Sequence, residues 1–139
     1  MASLAVMNAI GSIVSTNWSH TPIFDTNTVG SVPTDNSAFM QILYPVTAER
    51  QISFGASTNY HEETGSARVG LYIPAGVGLN PNGSPWTSRM ESLMAQFRGK
   101  FVSNIEFLGF DGPTVQDDSD DGAYHEISFT VAYRRLSLA

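Results

Sequence analysis

The chain contains no cysteine, and that one absence removes disulfide frameworks, thiol nucleophiles and thiolate metal sites from consideration. Redox chemistry is set aside with them, and assembly in an intracellular compartment is the expectation. Basic residues are scarce as well: Lys100 is the only lysine, six arginines are spread along the chain, and the formal net charge is −6. A surface that clamps nucleic acid needs clustered positive charge, so any meeting with DNA is expected to be repulsive or indirect. No apolar run approaches the ~18 residues of a membrane span, and the N-terminus lacks the basic stretch of a signal peptide, so a soluble, untargeted protein is expected. At 139 residues the chain has the length of one domain, 1–139. A domain of about this size buries roughly 68–70% of its unfolded surface, enough for a core without covalent staples.

What is present centres on the stretch from Arg68 to Phe97. Ala67, Val69, Leu71 and Ile73 fall at every second position, with Arg68, Gly70 and Tyr72 on the other face, which predicts a half-buried strand. Pro74 stops it, since proline has no N–H for a ladder, and Ala75-Gly76-Val77-Gly78 opens a loop. Beyond Asn80-Pro81-Asn82-Gly83, Ser84 is the expected N-cap and Pro85 the first helical residue. Trp86, Met90, Leu93, Met94 and Phe97 then recur at helical spacing to Arg98, and Gly99 ends the helix.

An earlier helix is predicted from about Ser3 to Thr16, on the face traced by Leu4, Val6, Met7, Ile10, Ile13, Val14 and Trp18, despite the ~1 kcal/mol cost of Gly11 in its interior. Residues 19–37 read as a long loop interrupted by Pro22-Ile23-Phe24, either a partner contact or a plain surface loop. Period two returns in Ala38, Met40, Ile42 and Tyr44, ending at Pro45, and a further strand is expected from Glu49 to Ala56 with Ile52 and Phe54 inward. Residues 59–65 then read as a hairpin connection into the strand at Arg68. After the second helix, Ile105 and Phe107 mark a strand that gives way at Asp111-Gly112-Pro113. A final strand carries Ile127, Phe129, Val131 and Tyr133 on one face. The order α-β-β-β-α-β-β predicts an α+β fold, a mainly antiparallel sheet with two helices packed on one face. Val69, Leu71, Ile73, Met90, Leu93, Phe97, Ile127, Phe129 and Val131 are expected to share its core.

Candidate chemistry is thin. Asp117, Ser119, Asp121 and Gly122 match the start of a calcium loop, but position twelve falls on Ser128 and no helices flank the run, so a solvated turn fits better. His61, Glu62 and Glu63 are adjacent, and neighbours on extended chain point apart, with no second histidine at ligand spacing. His20 and His125 are isolated. No Gly-x-Ser-x-Gly elbow occurs, and the glycines around Gly76 lack the spacing and the lysine of a phosphate cradle. Neither catalysis nor a metal or cofactor is expected.

The run Gly70-Leu71-Tyr72-Ile73-Pro74-Ala75-Gly76-Val77-Gly78, followed by a helix ending Met94-Ala95-Gln96-Phe97-Arg98-Gly99-Lys100, resembles the core signature of bacteriophage tail terminator-like proteins. The opening helix leading to Trp18 and Thr21-Pro22-Ile23, the Arg50-Gln51-Ile52-Ser53 segment and the Asp121-Gly122-Ala123-Tyr124 turn agree, so the likeness extends over most of the chain. The resemblance implies a virion structural protein of the tail or neck, assembled in the host cytoplasm. Such a subunit closes into a homo-oligomeric ring, typically a hexamer, on the last ring of the tail tube protein. There it stops tube growth and presents a surface to the head-tail connector, and DNA passes through without specific binding. Another neck or tail-completion protein is the alternative, and a small hydrolase or ligand-binding module lies further off.

Within that reading Arg50, Glu62, Glu63 and Arg68 are expected at the subunit interface, because they sit on or beside strands that reach the subunit boundary. Asp117, Asp118, Asp120 and Asp121, or the polar segment 59–65, are expected to face the channel or an adjacent ring surface. The other reading is that the aspartates only keep the outer surface soluble.

Overall fold

The computed structural model describes residues 3–24, 37–74, 86–116 and 124–138. Helix α1 (Leu4–Asn17) starts where Ser3 stays extended and its hydroxyl accepts from the Val6 N–H at 3.4 Å, satisfying one of the free donors of the first turn. Asn17 Nδ2 donates to the Ile13 carbonyl at 2.8 Å where the helix ends. Strand β1 (Ile23–Phe24) runs parallel to β2 (Phe39–Gln51), which pairs antiparallel with β3 (Tyr60–Pro74). Helix α2 (Trp86–Ala95) precedes a hairpin of β4 (Phe101–Val102) and β5 (Ile105–Gln116), and β6 (Tyr124–Leu138) closes the chain. The sheet order is β1-β2-β3-β6-β5-β4, so the last strand in sequence takes a central place.

This is the α+β architecture expected, a helix, three strands, a second helix and the remaining strands, with every pairing after the first antiparallel. One apolar cluster joins Val6, Ile10, Ile13 and Val14 of α1 and Met90, Leu93 and Met94 of α2 to alternate residues of the sheet. Both helices therefore lie on one face. All nine residues expected to share the core are buried in that cluster. Helix α2 ends in a tightened turn, with Gln96, Phe97 and Arg98 donating to carbonyls three residues back, and Gly99 leaves it at φ +71°. Its expected start at Ser84 and Pro85 lies outside the described residues.

Strand boundaries differ from the sequence reading in four places. Pro45 does not end a strand: the register of β2 against β3 shifts between Leu43 and Val46, and this bulge in the ladder accommodates a residue without an N–H. The separate strand expected over 49–56 is absent. Glu49 to Gln51 finish β2, the chain turns at 52–59, and Ile52 and Phe54 are exposed. Residues 60–65 are strand, not connection, and make the first half of β3. Likewise β5 continues through Asp111-Gly112-Pro113 by a second register shift, where Gly112 sits at φ +103°.

Candidate interaction surface

Because side chains alternate along a strand, the even-numbered residues of β3 and β6 point away from the helices. On that helix-free face the structure assembles a chain of charges across four neighbouring strands. Arg50 Nε of β2 lies 3.0 Å from Glu62 Oε1 of β3, Arg134 Nε of β6 lies 3.2 Å from Glu62 Oε2, and the same Nε lies 3.5 Å from Glu106 Oε1 of β5. The signs run plus, minus, plus, minus in sheet order, and each inner residue serves two partners. The ends are more open: the Arg50 side chain is 74% exposed and that of Glu106 42%. Nearer the other end of the face, Arg68 Nη2 donates to Glu126 Oε1. Beyond that pair Phe39 stacks on Tyr72 at a centroid distance of 4.9 Å, with Phe24 at 5.8 Å from Phe39.

The end of the sheet formed by the β2 to β3 turn carries exposed apolar side chains. The turn is closed by the Ile52 N–H donating to the Tyr60 carbonyl at 2.9 Å and the Tyr60 N–H donating to Ser53 Oγ at 2.8 Å, and it carries Phe54, 78% exposed. Beside it a groove of 370 Å³ is walled by Tyr60, Phe101, Leu136 and Leu138, with Glu106 and Arg134 on its rim. A larger groove of 560 Å³ runs along α1, and among the described residues lining it Lys100 is the only ionisable one. Among the described residues no three histidine or carboxylate side chains gather to hold a metal ion, and no helix is long and apolar enough to cross a membrane.

On the helix face one carboxylate is buried. Glu63, 7% exposed, accepts from the Ser3 N–H at 3.1 Å and from the Tyr133 hydroxyl at 2.9 Å. Thr47 Oγ1 lies 3.5 Å from that hydroxyl. Burial alone would raise the Glu63 carboxyl, but the hydrogen bonds from Ser3 and Tyr133 and the charge of Arg135 outweigh it and hold the group below the ordinary carboxylate range. Burial pushes Tyr133 the other way, to about 12, with help from the neighbouring carboxylate. The arrangement anchors the start of α1 to the sheet by an anion set at the positive end of the helix.

Of the four residues expected at a subunit interface, Arg50 and Glu62 belong to the charge chain and Arg68 to the pair with Glu126. Glu63 is occupied inside the subunit. His61, Glu62 and Glu63 alternate between faces as expected for extended chain, with His61 Nδ1 3.6 Å from Glu49 Oε1. Asp117, Asp118, Asp120 and Asp121 lie outside the described residues. Arg134 and Glu106, which complete the charge chain, were not singled out by sequence. The available signal was their place on the polar face of two strands already recognised, Glu106 between Ile105 and Phe107 and Arg134 just after Tyr133.

No protein-family model and no curated protein matches the chain. Among the solved structures similar to the chain, one whose name states no function matches at a TM-score of 0.39 and 14% sequence identity, over 94% of this chain and 86% of that one.

Proposed function

We propose that the chain is a structural subunit of a phage tail, closing into a ring of about six copies that caps the tail tube and joins it to the head. The observation that carries this reading is the shape of the sheet. Its outermost strands, β1 and β4, are two residues long, so among the described residues most of the outer sides of β2 and β5 have no strand beside them. Open edges invite association, and a closed ring covers both edges of every copy without growing into a fibre. The sequence resemblance to tail terminator-like proteins supplies the biological setting, and the α+β order of elements agrees with it. The described surface is built from ion pairs and shallow grooves, which suits a contact protein better than an enzyme. A net charge of −6 suits a channel that DNA slides through, since few phosphates would be held.

The test is to add the purified chain to the growing tail tube protein of the same particle and measure tube lengths by negative-stain microscopy. Capping predicts tubes that stop growing and carry one extra ring at one end. Tubes of undiminished length, with the chain bound instead to head-connector protein, would assign it to the neck without a terminating role.

A further inference from the structure

The charge chain of the helix-free face has a direction, and that direction bears on how copies join. It begins with Arg50 on the β2 side of the sheet and finishes with Glu106 on the β5 side. Glu62 and Arg134 each have two opposite charges beside them, whereas Arg50 and Glu106 each have one and are the most exposed members. A two-fold contact joining β2 to β2 or β5 to β5 brings no Arg50 to a Glu106, and where its axis passes near the charged end of the strand it sets Arg50 against Arg50 or Glu106 against Glu106. Like charges at an interface are penalised, so the face disfavours both. Joining the β2 side of one copy to the β5 side of the next sets Arg50 toward Glu106 and continues the alternation.

Three further features agree. First, β2 runs antiparallel to β3, β3 to β6 and β6 to β5, so β2 and β5 point in opposite directions and a β5 to β2 junction keeps the alternation of strand directions. Second, Val46 pairs with Ser66, Ser66 with Ala132 and Ala132 with Gly109, which puts Val46 and Gly109 on one row at the two margins of the sheet. Leu108 sits in the register shift next to Gly109, and Val46 and Leu108 are 59% and 58% exposed. One margin therefore offers an apolar side chain level with an apolar side chain on the other. Third, Arg50 and Glu106 are offset by two rows, roughly 7 Å along the strands, and β4 lies outside β5 at Glu106, so the two long side chains meet by reaching across β4 on the helix-free face. Pro45 and Pro113 sit in the register shifts that interrupt the regular course of β2 and β5, and β4 pairs with β5 beside Glu106. The junction is thus made by side chains and not by an unbroken backbone ladder.

We infer that copies of this chain associate head to tail, the β2 margin of one against the β5 margin of the next, through Val46 with Leu108 and Arg50 with Glu106. This rests on the ring reading and specifies its interface.

The absence of cysteine makes the test clean, since introduced thiols are the only ones. The full chain is made as V46C, as L108C and as the double variant, and each is treated with a short thiol-to-thiol cross-linker and run on a denaturing gel. The double variant should give a ladder of covalent multimers and each single variant only monomer. Covalent dimers from V46C alone would mean a two-fold contact and overturn the inference. So would an oligomer, sized by light scattering, whose double variant stays uncross-linked; that result would leave the ring reading standing. A chain that is monomeric at every concentration would sink both. Charge reversal gives an independent readout: R50E and E106R should each weaken association about ten-fold or more, and mixing the two should restore it, because every junction then has opposite charges again. Failure of the mixture to recover, with both variants folded by circular dichroism, would contradict the pairing.

Discussion

Glu63 shows how one side chain ties an element to the sheet. It accepts hydrogen bonds from Ser3 at the head of α1 and from Tyr133 on β6, so replacing it with alanine strands two donors and should cost about 1–3 kcal/mol in a denaturant melt. The pH dependence follows from the sign of the shift. A carboxyl held below its ordinary 4.5 in the folded state contributes stability that is fully present above that value and is lost as pH falls through the depressed one. Tyr133, raised from 10.0 to about 12, contributes below 10.0 and loses its contribution as pH rises toward about 12. Melts of the parent chain should therefore fall off more steeply in acid than those of Glu63→Gln, and superimposable curves would contradict the role. Gly65 is constrained by the same cluster. A Cβ there would stand 2.9 Å from the Tyr133 ring and collide with the Val46 carbonyl, so Gly65→Ala should lower stability by about 1–3 kcal/mol. An unchanged melting temperature would show that Tyr133 moves aside freely. Gly65 did not stand out in the sequence, and Glu63 was expected at a subunit interface, because it is only recognisable as inward once the alternation of Ala67, Val69 and Leu71 is carried back through Gly65.

The elements that were legible are those whose period is clean. Helix α1, the second half of β3 and β6 bury one face among apolar residues and leave the other polar or small, and their sequences say so. The first half of β3 gave no such signal. Tyr60 to Ser66 carries polar groups on both faces, one set tying down α1 and the other forming the charge chain, so it is held as strand by β2 and β6 on either side and not by its own pattern. The β4 to β5 hairpin was missed for a local reason: its two-residue turn uses Ser103 and Asn104, at φ 53° and 63°, where Asn-Gly would be the recognisable signal. For α2, docking is the testable property. Leu93 is 2% exposed between the helix and the sheet, and Leu93→Ala should cost roughly 2–5 kcal/mol. A thermal melt indistinguishable from the parent would mean that the helix does not pack there.

At the scale of the whole molecule, the two helices cover one face of the sheet and ion pairs cross the other, and among the described residues the two margins are the least covered parts. Those margins differ in charge, which gives the subunit a left and a right and suits repetition around an axis. The sequence disclosed the fold and several polar strand residues, but the ordering of charges across four strands is a property of the sheet order, with the last strand inserted between β3 and β5, and no linear reading contains it. The most direct measurement is the molar mass of the intact chain in solution, by size-exclusion chromatography with light scattering over a wide concentration range. A closed ring predicts a single species of about six times the 15.0 kDa of one chain, insensitive to further concentration. A mass of 15.0 kDa at every concentration, or one that keeps climbing without a plateau, would contradict it.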